Sequence, residues 1–207
     1  MNEASAPRPS IRQAHKDLTR LRIAEAARAC FYEKGVTETS FEEIAARAGV
    51  RRATVYLHFA NKNAILAELL SQNLDEVRRI YARLLTMPRH DAAAVRTWLG
   101  SYVRAIASHR QALRLFQVAV AADDTVRHLI ETYREDVLRS LGSRFPAFAA
   151  PTGRLHAIAL LMIVEIDFIA DAAAQVPPRV EVAATLDLLA ERLSAMLCAP
   201  DAEVRAW

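Results

Sequence analysis

Glycine is scarce in this chain, with 5 residues in 207, and cysteine is rarer still, with 2. Ala, Leu, Arg and Glu dominate instead, and these are good helix formers. The 8 prolines stand mostly where a helix would have to stop. With a hydrophobic fraction of 53%, this composition predicts an all-α protein rather than one built on strands.

The chain also lacks a disulfide framework and a long uncharged apolar run. Cys30 and Cys198 are too few for such a framework, so we expect reduced thiols and a cytoplasmic protein. The longest apolar stretch, residues 157–174, carries three carboxylates, which argues against a helix that faces lipid. Residues 1–10 lack the apolar core of a secretory signal, and we expect no membrane partner.

No catalytic constellation is visible. There is no Ser/His/Asp arrangement, no metal-ligand spacing and no phosphate-binding loop, and the 6 histidines are scattered. We therefore predict no catalytic residue, no metal site, no cofactor and no enzymatic activity. An enzyme is the alternative of a different class, which a pocket with convergent acids, bases and metal ligands would favour.

Charge is unevenly distributed along the chain. Lys and Arg outnumber Asp and Glu within residues 1–65, although the formal net charge of the whole chain is only +3. Residues 1–16 are polar and contain Pro7 and Pro9, which predicts a disordered basic arm. A basic N-terminal third is typical of a domain that faces a polyanion.

The spacing of the apolar residues predicts about nine helices. The first covers about residues 17–34 and ends at Gly35, which suits a helix C-terminus. Two short helices follow at 40–48 and 51–59. Longer helices are predicted at 63–85, 91–108, 111–121, 123–145, 153–174 and 180–197.

A capping box opens the first short helix. Ser40 can accept a hydrogen bond from the amide of Glu43, and the Glu43 side chain can return to the Ser40 amide. Gly49 comes about two turns later and allows the left-handed backbone of a tight turn. Two short helices joined by a Gly-centred turn predict a helix-turn-helix.

The outer face of the second short helix carries side chains that suit DNA. These are Arg51, Arg52, Thr54, Tyr56 and His58. Arg can bond guanine bidentately, a Thr methyl group can touch thymine, and Tyr or His can reach phosphate oxygens. Lys62 begins the next helix, where its charge and the free amides both favour a phosphate.

The same segment resembles the DNA-binding domain of the TetR family over about residues 18–66. The matching pieces are Phe31 and Gly35, Thr39-Ser40, Ile44-Ala45, Ala48-Gly49-Val50, Thr54, Tyr56, His58-Phe59 and Lys62. The resemblance implies that Arg52, Ala53 and Thr54 lie nearest the bases. It also implies phosphate contacts by Tyr56, His58 and Lys62, with Thr39 and Ser40 near the DNA backbone.

Two positions depart from the family pattern. Arg51 stands where a small polar residue often caps the recognition helix; it cannot cap in that way, but it adds a base or phosphate contact. Glu42 occupies a position that is basic or polar in some relatives. We interpret Glu42 as a solvated acid of the first helical turn rather than as a base-contacting residue.

The resemblance further implies an organisation and a function. Residues 17–62 would form an N-terminal three-helix bundle, and residues 63–207 a larger bundle for ligand binding and dimerisation through the last two helices. The protein would be a homodimeric, sequence-specific transcriptional regulator, a repressor released from a palindromic double-stranded DNA operator by a small-molecule effector. Effector-independent DNA binding and activation are the open alternatives.

The larger bundle offers few sequence signals for a ligand site. The candidate ligand-binding residues are Trp98, Tyr102, Phe116, Gln117, Tyr133, Glu165 and Phe168, and ordinary core packing is the alternative for the aromatic ones. The helix at 153–174 is apolar around its circumference, which predicts that a second subunit covers it. Glu165 and Asp167 diverge by about 200° on that helix and cannot serve one site together, so an interface ion pair is the alternative for Glu165.

Overall fold

The computed structural model describes residues 10–110, 112, 115 and 124–200, and within them all regular structure is helical, as predicted. The α helices are α1 (Ile11–Lys34), α2 (Phe41–Ala48), α3 (Arg52–His58), α4 (Lys62–Thr86), α5 (Ala92–Ser108), α6 (Asp124–Gly142), α7 (Gly153–Ala174) and α8 (Val182–Cys198). A 3-10 turn, Pro146–Phe148, lies between α6 and α7. Nearly all of the helix predicted at 111–121, with Phe116 and Gln117, lies outside the described residues.

The chain divides into two compact units between Leu69 and Leu70. This division lies later in the chain than the predicted domain boundary after residue 62, because the first turns of α4 belong to the first unit. There, Nε and Nη2 of Arg20 on α1 both donate to Oε2 of Glu68 on α4, at 3.0 and 2.7 Å. Unit 1 here means residues up to 69, and unit 2 the remainder.

Helix α1 begins earlier than predicted. The Ser10 side chain accepts a hydrogen bond from the amide of Gln13 at 3.2 Å and so caps a helix that starts at Ile11 rather than at Asp17. Residues 11–16, expected to belong to a disordered arm, are therefore helical. The predicted C-terminal end is correct, since Gly35 adopts a φ of 87° and its amide donates to Phe31.

Unit 1 closes a small core between α1, α2, α3 and the start of α4. Small residues on α1 and α2 allow close packing, and larger side chains fill the centre. The buried side chains include Ile23, Ala27, Phe31, Ile44, Ala45, Ala48, Val55, Phe59, Ile65 and Leu66. This core fixes α3 with one face inward, and the opposite face stays open to solvent.

Unit 2 is organised around α5, which packs against both α7 and α8. Helix α6 ends at Gly142, three residues before the predicted end, and the chain then turns into the 3-10 segment, which packs back on α6. Among the described helices, none combines the length and apolar character needed to cross a membrane.

Helix α7 is only partly covered by its own chain. Met162, Ile163 and Ile166 are buried, whereas Leu161 and Phe168 expose 65% and 67% of their surfaces. On the neighbouring helix α8, Leu188 is 57% exposed. These three residues, Leu161, Phe168 and Leu188, form what we call the α7–α8 apolar face.

Candidate nucleic-acid interface

The turn between α2 and α3 is built as predicted from a capping box and a left-handed glycine. The Glu43 amide donates to Ser40 Oγ at 3.2 Å, and the Ser40 amide donates to Glu43 Oε2 at 2.9 Å. Gly49 ends α2 with φ 64° and ψ 37°. Arg22 on α1 secures this end by donating from Nη2 to the carbonyl of Ala48 at 2.7 Å. Local signals in α2 thus set where α3 begins.

Helix α3 presents one face to solvent. Val55 and the following Phe59 are buried, while Tyr56 is 49% exposed and Leu57 81% exposed. Of the predicted DNA-contacting residues, Arg51, Arg52 and Ala53 are also exposed, Thr54 and His58 are half-buried, and Arg51 precedes the helix without a side-chain cap bond. The structure therefore brings Arg51, Arg52, Ala53 and Tyr56 together on one open surface.

Arg52 is held by two neighbours on this surface. Its Nε lies 2.8 Å from Oε1 of Glu42, and its Nη2 donates to the hydroxyl of Tyr56 at 3.1 Å. The guanidinium carbon lies 5.3 Å from the centre of the Tyr56 ring. The Tyr56 ring in turn packs against Phe41, with centroids 4.8 Å apart. Glu42, expected to be simply solvated, is therefore an ion-pair partner of Arg52.

Lys62 is tied to the turn between α1 and α2. Its Nζ donates to the carbonyls of Thr37 and Thr39, at 2.8 and 3.0 Å. An ammonium group has three hydrogens, so one is left for a phosphate oxygen. Sequence reasoning missed this tether, because nothing in the local pattern relates Lys62 to a turn so far upstream in the chain.

Thr39 and Ser40 point inward more than the resemblance implied. Thr39 is buried, and its hydroxyl donates to the carbonyl of Gly35 at 2.8 Å. The hydroxyl of Thr39 is therefore used within the turn, and the location of Thr39 near the DNA backbone stays a prediction. Ser40 is half-buried, and its hydroxyl is already used in the capping box.

His58 is a poor cation near neutral pH. Burial, and then the positive charges of Arg20 and Lys16, lower the pKa of His58 below its ordinary value of 6.5. Its Nδ1 is buried and has no hydrogen-bond partner among the described residues. The backbone carbonyl of His58 accepts from Nη1 of Arg20 at 2.6 Å. A neutral imidazole can donate to a phosphate but adds no charge to that contact.

A second polar cluster lies in unit 2, centred on Asp167 of α7. The hydroxyl groups of Tyr102, Tyr133 and Tyr81 all donate to Asp167 Oδ1, at 2.8, 3.1 and 3.2 Å. Nε of Arg134 lies 3.6 Å from Asp167 Oδ2. Burial raises the pKa of Asp167, against the lowering effect of the tyrosine hydroxyls and Arg134. We call these residues the Asp167 cluster.

Only some of the predicted ligand-binding residues meet at this cluster. Tyr102 and Tyr133 belong to it, and Trp98 stacks on Tyr102 while donating from Nε1 to the carbonyl of Ile80 at 2.9 Å. Glu165 instead forms an ion pair with Arg192 on α8, and Phe168 faces outward. The predicted divergence of Glu165 and Asp167 is confirmed. Tyr81 was missed, because its register with α7 is not visible in sequence.

Comparison with known proteins relates unit 1 to a bacterial family. Residues 23–69 match the family model described as bacterial regulatory proteins, tetR family. KstR2, an HTH-type transcriptional repressor of Rhodococcus jostii, is 25% identical over 139 residues, covering 67% of this chain and 65% of KstR2. TtgR, an HTH-type transcriptional regulator of Pseudomonas putida, is 42% identical over 66 residues, covering 32% of this chain and 30% of TtgR. These matches span less than two thirds of either relative.

The fold of the chain is shared with solved structures. A tetR-family transcriptional regulator from Streptomyces coelicolor superposes with a TM-score of 0.65 at 19% identity, covering 92% of this chain and 86% of that chain. The family model ends at Leu69, which is also the last residue of unit 1. By its helix-turn-helix and the matched sequence, unit 1 is similar to the bacterial regulatory proteins of the tetR family.

Proposed function

We propose that this protein is a sequence-specific DNA-binding transcriptional repressor that a small-molecule effector releases from its operator. The observation that carries the proposal is the open face of α3, where Arg51, Arg52 and Tyr56 face solvent while Val55 and Phe59 anchor the helix in the core. Arginine forks and a phenol hydroxyl are suited to base edges and phosphates. This role places the protein in the cytoplasm, with DNA.

In the proposed complex α3 lies in the major groove. Arg52, Ala53 and Thr54 are nearest the bases, and Tyr56 and Lys62 contact phosphates. Leu57 adds an apolar contact that suits a thymine methyl group, since its side chain is the most exposed on α3 among the large apolar residues. His58 makes at most a neutral contact.

A homodimer on a palindromic operator completes the proposal. The α7–α8 apolar face supports it, because exposed leucine and phenylalanine side chains on adjacent helices favour burial against an identical surface. Two copies of α3 would then occupy half-sites about 34 Å apart, one turn of the double helix.

The effector site is proposed to involve the Asp167 cluster. A largely buried carboxylate surrounded by three hydroxyl donors and four aromatic rings is a polar centre inside an apolar bundle. Such convergent polar groups in apolar surroundings are typical of small-molecule sites. Of the predicted ligand-binding residues, this proposal retains Trp98, Tyr102 and Tyr133.

The test begins with selection of bound duplexes from fragmented genomic DNA, which yields the operator. On that operator, Arg52→Ala is expected to weaken binding by about 1–3 kcal/mol and to relax base preference at the contacted position, because a bidentate contact to a base is lost. Fluorescence anisotropy on the operator and on single-base variants measures both effects.

Arg154→Ala is the matched control, since Arg154 is an exposed arginine on α7 in unit 2. It removes the same charge and should leave operator affinity unchanged. A wild-type protein that enriches no sequence would overturn the proposed function. Unchanged affinity and preference in Arg52→Ala would overturn the assignment of Arg52 alone.

A further inference from the structure

The surface shared by α2 and α3 carries an acid where a DNA-binding surface would favour cations. Glu42 is more than half exposed, lies in the first turn of α2 and pairs with Arg52. A carboxylate at this place repels phosphates, so its presence calls for a compensating role. We propose that Glu42 determines specificity by holding Arg52 for base contact and by suppressing its contact with phosphates of unrelated DNA. This proposal rests on the proposed function.

The contacts of Arg52 leave one edge of its guanidinium available. Glu42 lies against Nε, and Tyr56 accepts a hydrogen from Nη2. Of the five N–H groups, both on Nη1 and the second on Nη2 remain for other acceptors. The outward hydrogens of Nη1 and Nη2 can donate to O6 and N7 of a guanine approached end-on. Glu42 and Tyr56 therefore orient the fork that the base requires.

The positions of the two partners make this orientation persistent. The capping box of Ser40 and Glu43 fixes the helical turn that carries Glu42, and Tyr56 is held by its ring contact with Phe41. Both partners belong to unit 1, and both flank Arg52 before any DNA is bound. A pre-oriented side chain loses less conformational entropy on binding than a free one. Holding Arg52 in this orientation thus favours binding to DNA that presents a guanine to its guanidinium.

The charge of Glu42 acts differently on operator and on unrelated DNA. Unrelated DNA is bound mainly through phosphates, and each neutralised phosphate contributes about 0.9 to the slope of log affinity against log salt. An arginine paired with a carboxylate carries little net charge, so it gains little affinity from neutralising a phosphate. Guanine instead accepts hydrogen bonds and does not require the carboxylate to leave. Glu42 therefore lowers affinity for unrelated DNA more than affinity for the operator.

The experiment compares wild type, Glu42→Gln and Glu38→Gln on the selected operator and on a scrambled duplex of the same composition. Glutamine keeps the length and an acceptor but removes the charge. Kd is measured by anisotropy at four salt concentrations. Glu42→Gln is expected to tighten binding of the scrambled duplex and to steepen the salt dependence of that binding. The ratio of the Kd for the scrambled duplex to the Kd for the operator should fall by about threefold to fivefold, which is the scale of an exposed ion pair.

Glu38→Gln is the charge-matched control, because Glu38 is exposed in the turn before α2. It should change both Kd values by similar factors and leave their ratio within about twofold. The same Glu42→Gln change in an Arg52→Ala background should have no effect on the ratio. That result would assign the effect to the pair rather than to Glu42 acting directly on DNA.

Two outcomes overturn the proposal, and they are distinguishable from failure of the proposed function. Equal shifts of both Kd values in Glu42→Gln would mean that Glu42 acts only as a general charge. A loss of discrimination that persists without Arg52 would mean that Glu42 contacts DNA itself. Wild-type protein that binds both duplexes equally would instead overturn the proposed function, and this proposal with it.

Discussion

At the residue scale, neighbouring side chains of α3 have opposite roles. Val55 and Phe59 are buried, whereas Leu57 between them faces solvent. Residues two apart on a helix diverge by about 200°, so a helix of 7 residues closes a core and still presents an open face. Leu57 could have been identified in the sequence, because it lies two positions from each of two core residues.

Lys62 combines a structural contact with the predicted phosphate contact. Lys62→Met is expected to destabilise unit 1 by about 1 kcal/mol, since two carbonyl groups lose a charged donor that is partly exposed. It should also weaken binding to all DNA sequences alike and reduce the salt slope by about one unit. Thermal unfolding and anisotropy at several salt concentrations measure these two effects separately.

Lys16→Met is the control for Lys62→Met, because Lys16 is an exposed lysine of α1 in the same unit. It should leave the unfolding midpoint unchanged. Lower stability with an unchanged salt slope in Lys62→Met would identify Lys62 as a tether and remove it from the DNA interface. A sequence-selective loss of affinity would contradict the phosphate assignment.

Glu43 makes the stability of unit 1 dependent on pH. The hydrogen bond from Lys34, and then that from the Ser40 amide, lower the pKa of Glu43 from 4.5 to about 2. A carboxyl group with a lowered pKa stabilises the folded state above pH 4.5, and this contribution is lost as pH falls through about 2. Glu43→Gln should therefore be less stable than wild type at pH 7, and the difference should shrink from pH 4.5 downwards.

Urea unfolding at a series of pH values, followed by circular dichroism, measures this difference. Glutamine retains a bond to the Ser40 amide, so the variant isolates the charge from the cap. Glu38→Gln is again the control for loss of one carboxylate. A stability difference that does not vary with pH would mean that the Lys34 and Ser40 bonds do not distinguish the charged form of Glu43.

Residue identity alone predicted contacts only where the partner is close in sequence. Ser40 and Glu43 are three residues apart, and their mutual bonds follow from the helix start. Thr39 was predicted to lie near the DNA backbone, whereas its hydroxyl donates to the carbonyl of Gly35 in the turn before α2. Asp167 could be recognised as costly in an apolar helix, but not as the acceptor of three tyrosines from α4, α5 and α6.

At the scale of the element, helix ends agree with prediction where a local signal is strong. Gly35 and Gly49 end α1 and α2 with positive φ angles, as expected of their type. The start of α1 was missed because Ser10 was assigned to the arm, although a serine before an amphipathic segment is a usual N-cap. The end of α6 was misplaced for a tertiary reason, since Gly142 adjoins the backbone of the 3-10 turn.

That close approach gives a testable prediction for α6. A Cβ atom at Gly142 would lie 2.7 Å from the carbonyl oxygen of Phe148 and 2.9 Å from Cα of Ala149. Because both are backbone atoms, the turn must shift, and Gly142→Ala is expected to cost about 1–3 kcal/mol. Chemical denaturation of the purified variant measures the change.

Gly100→Ala is the matched control within α5. Its Cβ would meet only the flexible ends of Arg104 and Arg96, at 3.5 and 3.8 Å. There the gain in helix propensity should stabilise the protein by up to about 1 kcal/mol. Equal changes in the free energy of unfolding for Gly142→Ala and Gly100→Ala would show that the contact of Gly142 with the backbone of the 3-10 turn does not limit the residue at this position.

At the scale of the whole molecule, the α7–α8 apolar face is exposed among the residues that the structure describes. Periodicity marked α7 as apolar on all sides, and the structure shows which side is left exposed, at Leu161 and Phe168. The ion pair between Glu165 and Arg192 joins α7 to α8 beside this face. The predicted ligand role of Phe168 is less consistent with this position than a role in dimerisation.

Phe168→Glu is expected to prevent dimerisation, because it places a charge in the centre of an apolar contact. Analytical ultracentrifugation should then give the mass of one chain, against twice that mass for wild type. Operator affinity should fall by about tenfold or more, since one chain can occupy only one half-site.

Ala93→Glu adds the same charge at an exposed position of α5 and should remain dimeric. A wild-type protein that sediments as a single chain would refute the dimer. A dimeric Phe168→Glu variant would place the interface elsewhere on the molecule.

The sequence by itself determined the helical class, the helix-turn-helix and the residue types on the exposed face of α3, because capping, glycine conformation and apolar periodicity act over a few residues. Tertiary structure alone decided which distant side chains meet. The pairing of Glu42 with Arg52 and the three tyrosines around Asp167 depend on how separate helices are rotated and shifted against one another. That arrangement arises from packing the whole core, which no local pattern specifies.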